Sequence, residues 1–270
     1  MARIVDTIQG RRSVRTLEDR PLAPDDRAFV EQTIQDIKTP FGAPVEFRLL
    51  DAAAHGLKSP VIVDARDYVA AKVERVQGAE LSLGFAFETF CLRAAERGLG
   101  TVMLAASLSR KSFEEAMEIG PDEVMPVASP VGYPAAKMSI REGMMRRAIK
   151  SDERLPFSRI FFKGSFDAPL SPTDAGRFEE PLQMLRLAPS ATNKQPWRVV
   201  VDGNSVHFYE EHGLKVSALG DIQKVDMGIA LSHFWLTAQE LGIEGRFVTS
   251  DPKIAVPKNT EYITSFEASR

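Results

Sequence analysis

The sequence predicts an α+β fold, a mixed sheet flanked by helices, duplicated within one chain as a pseudo-two-fold fused dimer. Three observations predict it. Leu83–Gly98 aligns without a gap to Met227–Gly242, with identities at Gly84/Gly228, Ala86/Ala230, Phe90/Phe234, Leu92/Leu236, Ala94/Ala238, Glu96/Glu240 and Gly98/Gly242. Pro21-Leu22-Ala23-Pro24-Asp25-Asp26 recurs as Pro169-Leu170-Ser171-Pro172-Thr173-Asp174. Helix and strand patterns intermix throughout, and no low-complexity tract separates the halves.

The proline turns feed short helices at Asp26 to Ile37 and Asp174 to Leu187. A strand follows each, Val45 to Asp51 in the first half and Trp197 to Asp202 in the second. Further strands are expected at Val61 to Val63, Val124 to Ala128, Val206 to Tyr209 and Glu261 to Phe266. The repeated segments read as long apolar helices. One buries Leu83, Ala86, Phe87, Phe90, Cys91 and Ala94; the other buries Met227, Ala230, Leu231, Phe234, Trp235 and Ala238. Each ends at a glycine, the residue that takes a left-handed cap without steric cost. A short helix over Ser112 to Glu118 precedes a turn at Gly120-Pro121-Asp122. The halves are placed at 1–163 and 164–270, intertwined as one unit, with the long helices packed across the pseudo-two-fold axis.

A chain of 270 residues can bury a substantial core, and 44% hydrophobic with 26% charged content is ordinary for a globular protein. The net charge of −3 gives no reason to expect a nucleic-acid or membrane partner. No stretch approaches the ~20 apolar residues of a membrane span. Arg3 and Asp6 interrupt any apolar run at the start, and a single cysteine suits a reducing compartment, so a cytoplasmic location is expected. Cys91, on the inner face of its helix, reads as a packed thiol. His55, His207, His212 and His233 lack the mutual spacing of a zinc site, no metal is expected, and His233 reads as structural.

Candidate site residues lie where the halves differ in polarity. Arg11-Arg12-Ser13-Val14-Arg15 sets three guanidinium forks and a hydroxyl within one short stretch, a donor set suited to a phosphate monoester. Its counterpart near Arg154 to Ser158 has lost most of that pattern. Ala188 to Trp197 is bracketed by prolines that fix the backbone. Its Ser190, Asn193 and Gln195 offer donors and acceptors to the edge of a planar heterocycle. The first half has only the shorter Thr39 to Pro44 there. Gly98 to Ala106 is rich in small residues that would let a flat ligand approach the backbone. Between the halves, Ala135 to Phe162 carries Lys137, Arg141, Arg146, Arg147, Lys150, Arg154 and Arg159. It is either a solvated connecting helix or a source of further cations for a bound anion.

Taken together, these segments resemble the FMN-dependent nitroreductase family, in a single-chain tandem branch. Arg11 to Arg15 is similar to its "RRSxR", and Pro189 to Trp197 to its "PSxxNxQPW". Gly98-Leu99-Gly100-Thr101 and Gly132-Tyr133-Pro134 are similar to "GLGT" and "GYP". In the ordinary family all four occur in one short subunit, and two subunits build two sites. Here the intact motifs are divided between the halves, which implies one composite site. By that resemblance Arg11, Arg12, Ser13 and Arg15 face the FMN phosphate, helped by Lys137 and Arg141. Pro189, Ser190, Ala191 and Asn193 border the isoalloxazine and ribityl chain, with Gln195 in the same cofactor-binding set. Met103, Leu104, Ala105 and Ala106 lie along the ring with a backbone N–H near N5; two glycines are common in the family where Ala105-Ala106 stand. The implied activity is ping-pong hydride transfer from NAD(P)H through FMN to a nitroaromatic or quinone-like small-molecule acceptor, with no catalytic side chain required. A monomer would suffice. Two other readings stay open: a flavin-binding or storage protein without turnover, and a degenerate scaffold without cofactor.

Overall fold

Two sheets carry the duplication, the first formed within residues 46–132 and the second within 161–268. The computed structural model describes residues 3–269. The chain opens with α1 (Ile4–Gly10) and α2 (Pro24–Asp36), the latter with proline in its first turn. Next come β1 (Glu46–Asp51), the single turn α3 (Ala52–His55), β2 (Asp67–Glu74) and α4 (Ala79–Glu96). β3 (Gly100–Thr101), α5 (Arg110–Ala116) and β4 (Glu123–Gly132) complete an antiparallel sheet in the order β1-β2-β4-β3. α6 (Ile140–Ala148) and α7 (Phe157–Ile160) lead to β5 (Phe161–Lys163). The second half adds α8 (Glu179–Arg186), β6 (Trp197–Asp202), β7 (Ser205–Glu211), α9 (Ile222–Glu240), β8 (Gly245–Val248) and β9 (Thr260–Ala268). Its sheet runs β5-β6-β7-β9-β8 and is mixed, because β5 lies parallel to β6 while the other pairs are antiparallel.

α4 and α9 are the two copies of the repeat, and they pack against each other while α4 also touches β2 and α9 touches β7. That double burial is why both are apolar all round rather than on one stripe. The repeated glycines mark where the backbones meet. A Cβ on Gly84 would stand 2.0 Å from the Val225 carbonyl oxygen, and one on Gly228 would stand 2.2 Å from that of Leu81. A single apolar core therefore spans both halves, with Leu83, Phe87 and Val127 of the first beside Phe208, Phe234 and Phe266 of the second. α1 extends the joining: Ile4, Val5 and Ile8 cluster with Leu92 of α4 and Met184 of α8, and the Ile4 N–H donates to Glu240 Oε1 at 2.7 Å. A division at 163/164 cuts the second sheet, since Phe161 to Lys163 hydrogen-bond into it.

Several local expectations need correction. Val61 to Val63 forms no strand: Val63 makes one bridge to Thr16, and Asp64 at φ 59° turns the chain away. The helix expected over Asp174 to Leu187 is broken at Gly176 (φ 55°, ψ −128°) into a 3₁₀ segment, Thr173–Phe178, and α8. β2, β5 and β8 carry no clear strand signature in the sequence. β2 is central and buried on both faces, and its Ala70-Ala71-Lys72 run hides the alternation that marks a half-buried strand. Cys91 is a packed thiol, and burial with Glu88 beside it pushes it up to about 12. Among the described residues no helix is long and apolar enough to cross a membrane.

Candidate functional site

A cleft with a cavity volume of about 240 Å³ opens between the halves. The first half contributes Arg11, Arg12, Ser13 and Arg15 after α1, and Met103 and Ala105 after β3. Arg146, Ser151, Asp152 and Arg154 come from α6 and the turn beyond it. The second half contributes Pro189 to Asn193 and one side of α9, including Val225, Asp226, Ile229 and His233.

The cleft is crowded with guanidinium groups, and they are not equivalent. Arg15 is 9% exposed, and its Nε and Nη1 have no hydrogen-bond partner among the described residues. Burial holds its guanidinium below the usual arginine range, with Arg146 pushing the same way against Glu142. Arg11 has a partner already, since its Nε lies 3.0 Å from Glu88 Oε1. Arg154 donates only to neutral acceptors: Leu187 O at 3.0 Å, Ser151 O at 2.8 Å, Glu153 O at 2.9 Å and Asn193 Oδ1 at 3.4 Å. Burial, then Arg11, lowers its proton affinity. Arg146 pairs with the exposed Asp152. Ser151 Oγ is buried and has no hydrogen-bond partner among the described residues.

The Arg11–Arg15 segment is held by its backbone. Ser13 bridges Thr101 in parallel, and the Val14 N–H donates to Thr101 O at 2.9 Å. A Cβ on Gly100 would lie 2.8 Å from Val14 Cγ1, so this glycine makes room for Val14 and not for a flat ligand. The expected row Met103 to Ala106 is brought only partly to the cleft. Met103 and Ala105 line it, as alternate residues of an extended segment do. Leu104 faces the core, with its N–H on Ala128 O at 2.8 Å, and Ala106 is exposed outside. Lys137 and Arg141 are also absent from the lining. Lys137 is exposed, and Arg141 donates to Pro60 O. Five residues along α6, about 140° around the helix, Arg146 reaches the cleft instead. Thr16 anchors α6 there by donating to the buried Glu142 at 2.8 Å.

The loop after α8 is stiff for a reason the sequence only half disclosed. Thr192, Asn193 and Gln195 all take left-handed backbone conformations, at φ 50°, 57° and 52°. Such strain persists only where the surroundings enforce it. The polar side chains are turned to that task. Ser190 Oγ accepts from the Gln195 N–H at 2.9 Å, and Gln195 Oε1 accepts from the Leu155 N–H at 2.8 Å. Asn193 Nδ2 donates to Lys150 O at 2.8 Å and Glu153 O at 3.0 Å. Asn193 and Gln195 thus tie the loop to the turn that presents Arg154, and Gln195 is not in the lining.

α9 supplies two residues that sequence reasoning missed as site residues. Asp226, one residue before the repeat, is 3% exposed, and both carboxylate oxygens lie 3.0 Å from the Ala191 N–H. Burial pushes it well above the ordinary carboxylate range, with Glu210 and Asp221 adding to the effect. His233 Nδ1 lies 2.9 Å from Met184 O, and Nε2 lies 2.9 Å from Glu88 Oε1. The available signal was the repeat itself, which sets Glu88 against Ser232 and Thr89 against His233.

A family model described as "Putative TM nitroreductase" matches residues 3–238. Among solved structures, a "putative nitroreductase" from Thermotoga maritima is 22% identical and superposes with a TM-score of 0.65, covering 98% of this chain and 94% of its own. That likeness shows the fold. A "Putative NADH dehydrogenase/NAD(P)H nitroreductase" from Bacteroides thetaiotaomicron is 20% identical, with a TM-score of 0.42, over 50% of this chain and 89% of its own. An iodotyrosine deiodinase bound to FMN and 3-iodo-L-tyrosine is 16% identical, with a TM-score of 0.42, over 50% of this chain and 92% of its own. No curated protein gives a significant match.

Proposed function

The chain belongs to the family described as "Putative TM nitroreductase", and on that premise we propose that it is an FMN-dependent oxidoreductase with one flavin per chain in the composite cleft. The observation that carries this reading is Arg15. A buried guanidinium with two unpartnered donor atoms is costly to keep, and a phosphate monoester supplies the missing charge and acceptors. Arg12, Arg154, Ser13 and the unpartnered Ser151 hydroxyl border the same cleft, so the donor set fits that end of the cofactor.

In this reading Arg12, Arg15 and Arg154 bind the phosphate, while Arg11 acts through its contact with Glu88. Met103, Ala105, Val225 and Ile229 supply the apolar wall that excludes water, and Pro189 to Ala191 orient the ligand from a strained, rigid loop. Bound FMN would supply the redox chemistry, two-electron transfer from NAD(P)H to a small nitroaromatic or quinone-like acceptor. Family membership supports the reductant and acceptor classes. Because both walls of the cleft come from one chain, a monomer is sufficient.

Titration of the apo-protein with FMN, followed by absorbance and fluorescence, should saturate near one flavin per chain, and anaerobic NAD(P)H should bleach the bound flavin. Two equivalent sites per chain, or no saturable binding, would overturn the composite site. Binding without bleaching would leave a flavin-binding protein.

A further inference from the structure

Away from the arginine-rich cleft, β7 ends and α9 begins in a second cluster of ligand-type side chains. Glu210 and His212 stand two residues apart at the end of β7, which sets them on one face; Glu211 between them pairs with Arg198. Asp221 is the N-cap of α9 and accepts from the Gln223 N–H at 3.0 Å. The connecting loop is pinned by the buried Gln223, whose Oε1 accepts from the Gly213 N–H at 2.7 Å. One ligand atom from each of Glu210, His212 and Asp221 lies within 4.8 Å of the others.

The hydrogen-bonding capacity of the buried carboxyl there is not met by its neighbours. Glu210 is fully buried, at 0% exposure, and its Oε2 has no hydrogen-bond partner among the described residues, while Oε1 lies 3.0 Å from His212 Nδ1. Glu210 also sits directly opposite Glu261 in the β7–β9 register, and like charges across a strand pair repel. Lys224 is drawn to Glu261 Oε1 at 3.2 Å, on the exposed side. The His212 ring meets Glu210 Oε1 on one side and Glu261 on the other, yet leaves Oε2 of the buried Glu210 bare.

We propose that Glu210, His212 and Asp221 bind a divalent transition-metal cation of the zinc class. Two carboxylates and a neutral imidazole match its charge and its preference for a nitrogen ligand, and three protein ligands leave a position for water. His212 would ligate through Nδ1, and its other ring nitrogen lies 3.1 Å from Glu261 Oε2, the carboxylate that commonly fixes a ligating histidine from behind. The ion would tie the end of β7 to the start of α9, the helix whose Val225, Asp226 and His233 line the cleft. This site stands whether or not the cleft takes a flavin.

The test uses full-length protein stripped with a chelator and titrated with Zn²⁺ by calorimetry, and with Co²⁺ by visible absorption. One Zn²⁺ per chain is expected, unaffected by millimolar Mg²⁺, with a rise in melting temperature. Asp221→Asn keeps the helix cap and removes the charge; it and His212→Ala should each weaken Zn²⁺ at least tenfold. Glu261→Gln, behind the histidine, should weaken it by about tenfold. His55→Ala, in the exposed α3, should change nothing. Circular dichroism confirms that each variant is folded, and the Co²⁺ spectrum gives a second readout on the native chain. The absence of saturable Zn²⁺ binding, or equal binding in native protein and in folded Asp221→Asn and His212→Ala, would overturn the site.

Discussion

His233 Nε2 lies 2.9 Å from Glu88 Oε1, and the pseudo-two-fold mate of this contact is the 3.1 Å hydrogen bond between Thr89 and Ser232. The same helix crossing thus carries an ionisable pair on the side of the cleft and two hydroxyls on the other. Met184 O can only accept, so His233 Nδ1 donates to it and Nε2 faces Glu88. Arg11 completes the group on the same carboxylate oxygen.

Glu88→Gln removes the counter-charge of Arg11, whose side chain is 7% exposed. Breaking one partner out of a buried ionic group should cost about 3–5 kcal/mol. Ser232→Ala, at the symmetric position, should cost at most about 1.5 kcal/mol. Urea unfolding of both variants checks this, and equal losses would contradict the assigned asymmetry.

Gly84→Ala forces a methyl into the Val225 carbonyl, a backbone atom that cannot swing aside. A loss of about 3 kcal/mol or more is expected as the helices separate. Gly143→Ala in α6 meets nothing nearer than Met138 Sδ at 3.9 Å, and should stabilise by up to about 1 kcal/mol through helix propensity. Melting temperatures should move in opposite directions.

Arg15→Met should separate binding from stability. Loss of charge-assisted bonds to a phosphate is worth about 1.5–3 kcal/mol, so FMN affinity should fall tenfold or more while riboflavin affinity changes little. Without flavin the variant should be as stable as the native chain or more so, because an unpaired buried charge has been removed. Arg11→Met should instead lose stability with or without flavin. A parallel loss of FMN and riboflavin binding in Arg15→Met would argue against a phosphate role.

Asn193→Ala deletes the bonds to Lys150 O and Glu153 O and removes the short polar side chain that suits Asn to φ 57°. A stability loss of about 1–2 kcal/mol is expected. Limited proteolysis should increase within residues 146–154, and FMN binding should weaken through the loosened Arg154. Weaker FMN binding with unchanged proteolysis would mean that Asn193 touches the ligand directly.

Asp226 gives the pH dependence its sign. Its folded-state value lies well above the ordinary 3.8, so the folded chain holds a proton that the unfolded chain releases. Stability from this group is present below pH 3.8 and is lost as pH rises through the raised value. Asp226→Asn keeps an acceptor for the Ala191 N–H and should flatten the decline in unfolding free energy as pH rises above 3.8, measured with chelator present. An unchanged slope would place the proton elsewhere.

The repeat was legible because local spacing and composition suffice for it. A helix buried on two sides must be apolar all round, and a backbone crossing must be glycine in both copies, as Gly84 and Gly228 are. The phosphate-type cluster and the polar loop were legible for the same reason: each is a contiguous segment whose residue types restrict its chemistry. Tertiary structure decided which members of those segments reach the cleft. Leu104 and Ala106 turn away by strand alternation, and Arg141 by helical phase, while Arg146 and Arg154 arrive from a stretch that read equally well as a solvated connector. Only the fold brings Glu88 beside His233, or Glu210 and His212 beside Asp221 and Glu261. These contacts depend on helix crossing and strand register, which arise from packing between distant segments and leave no fixed spacing in the chain.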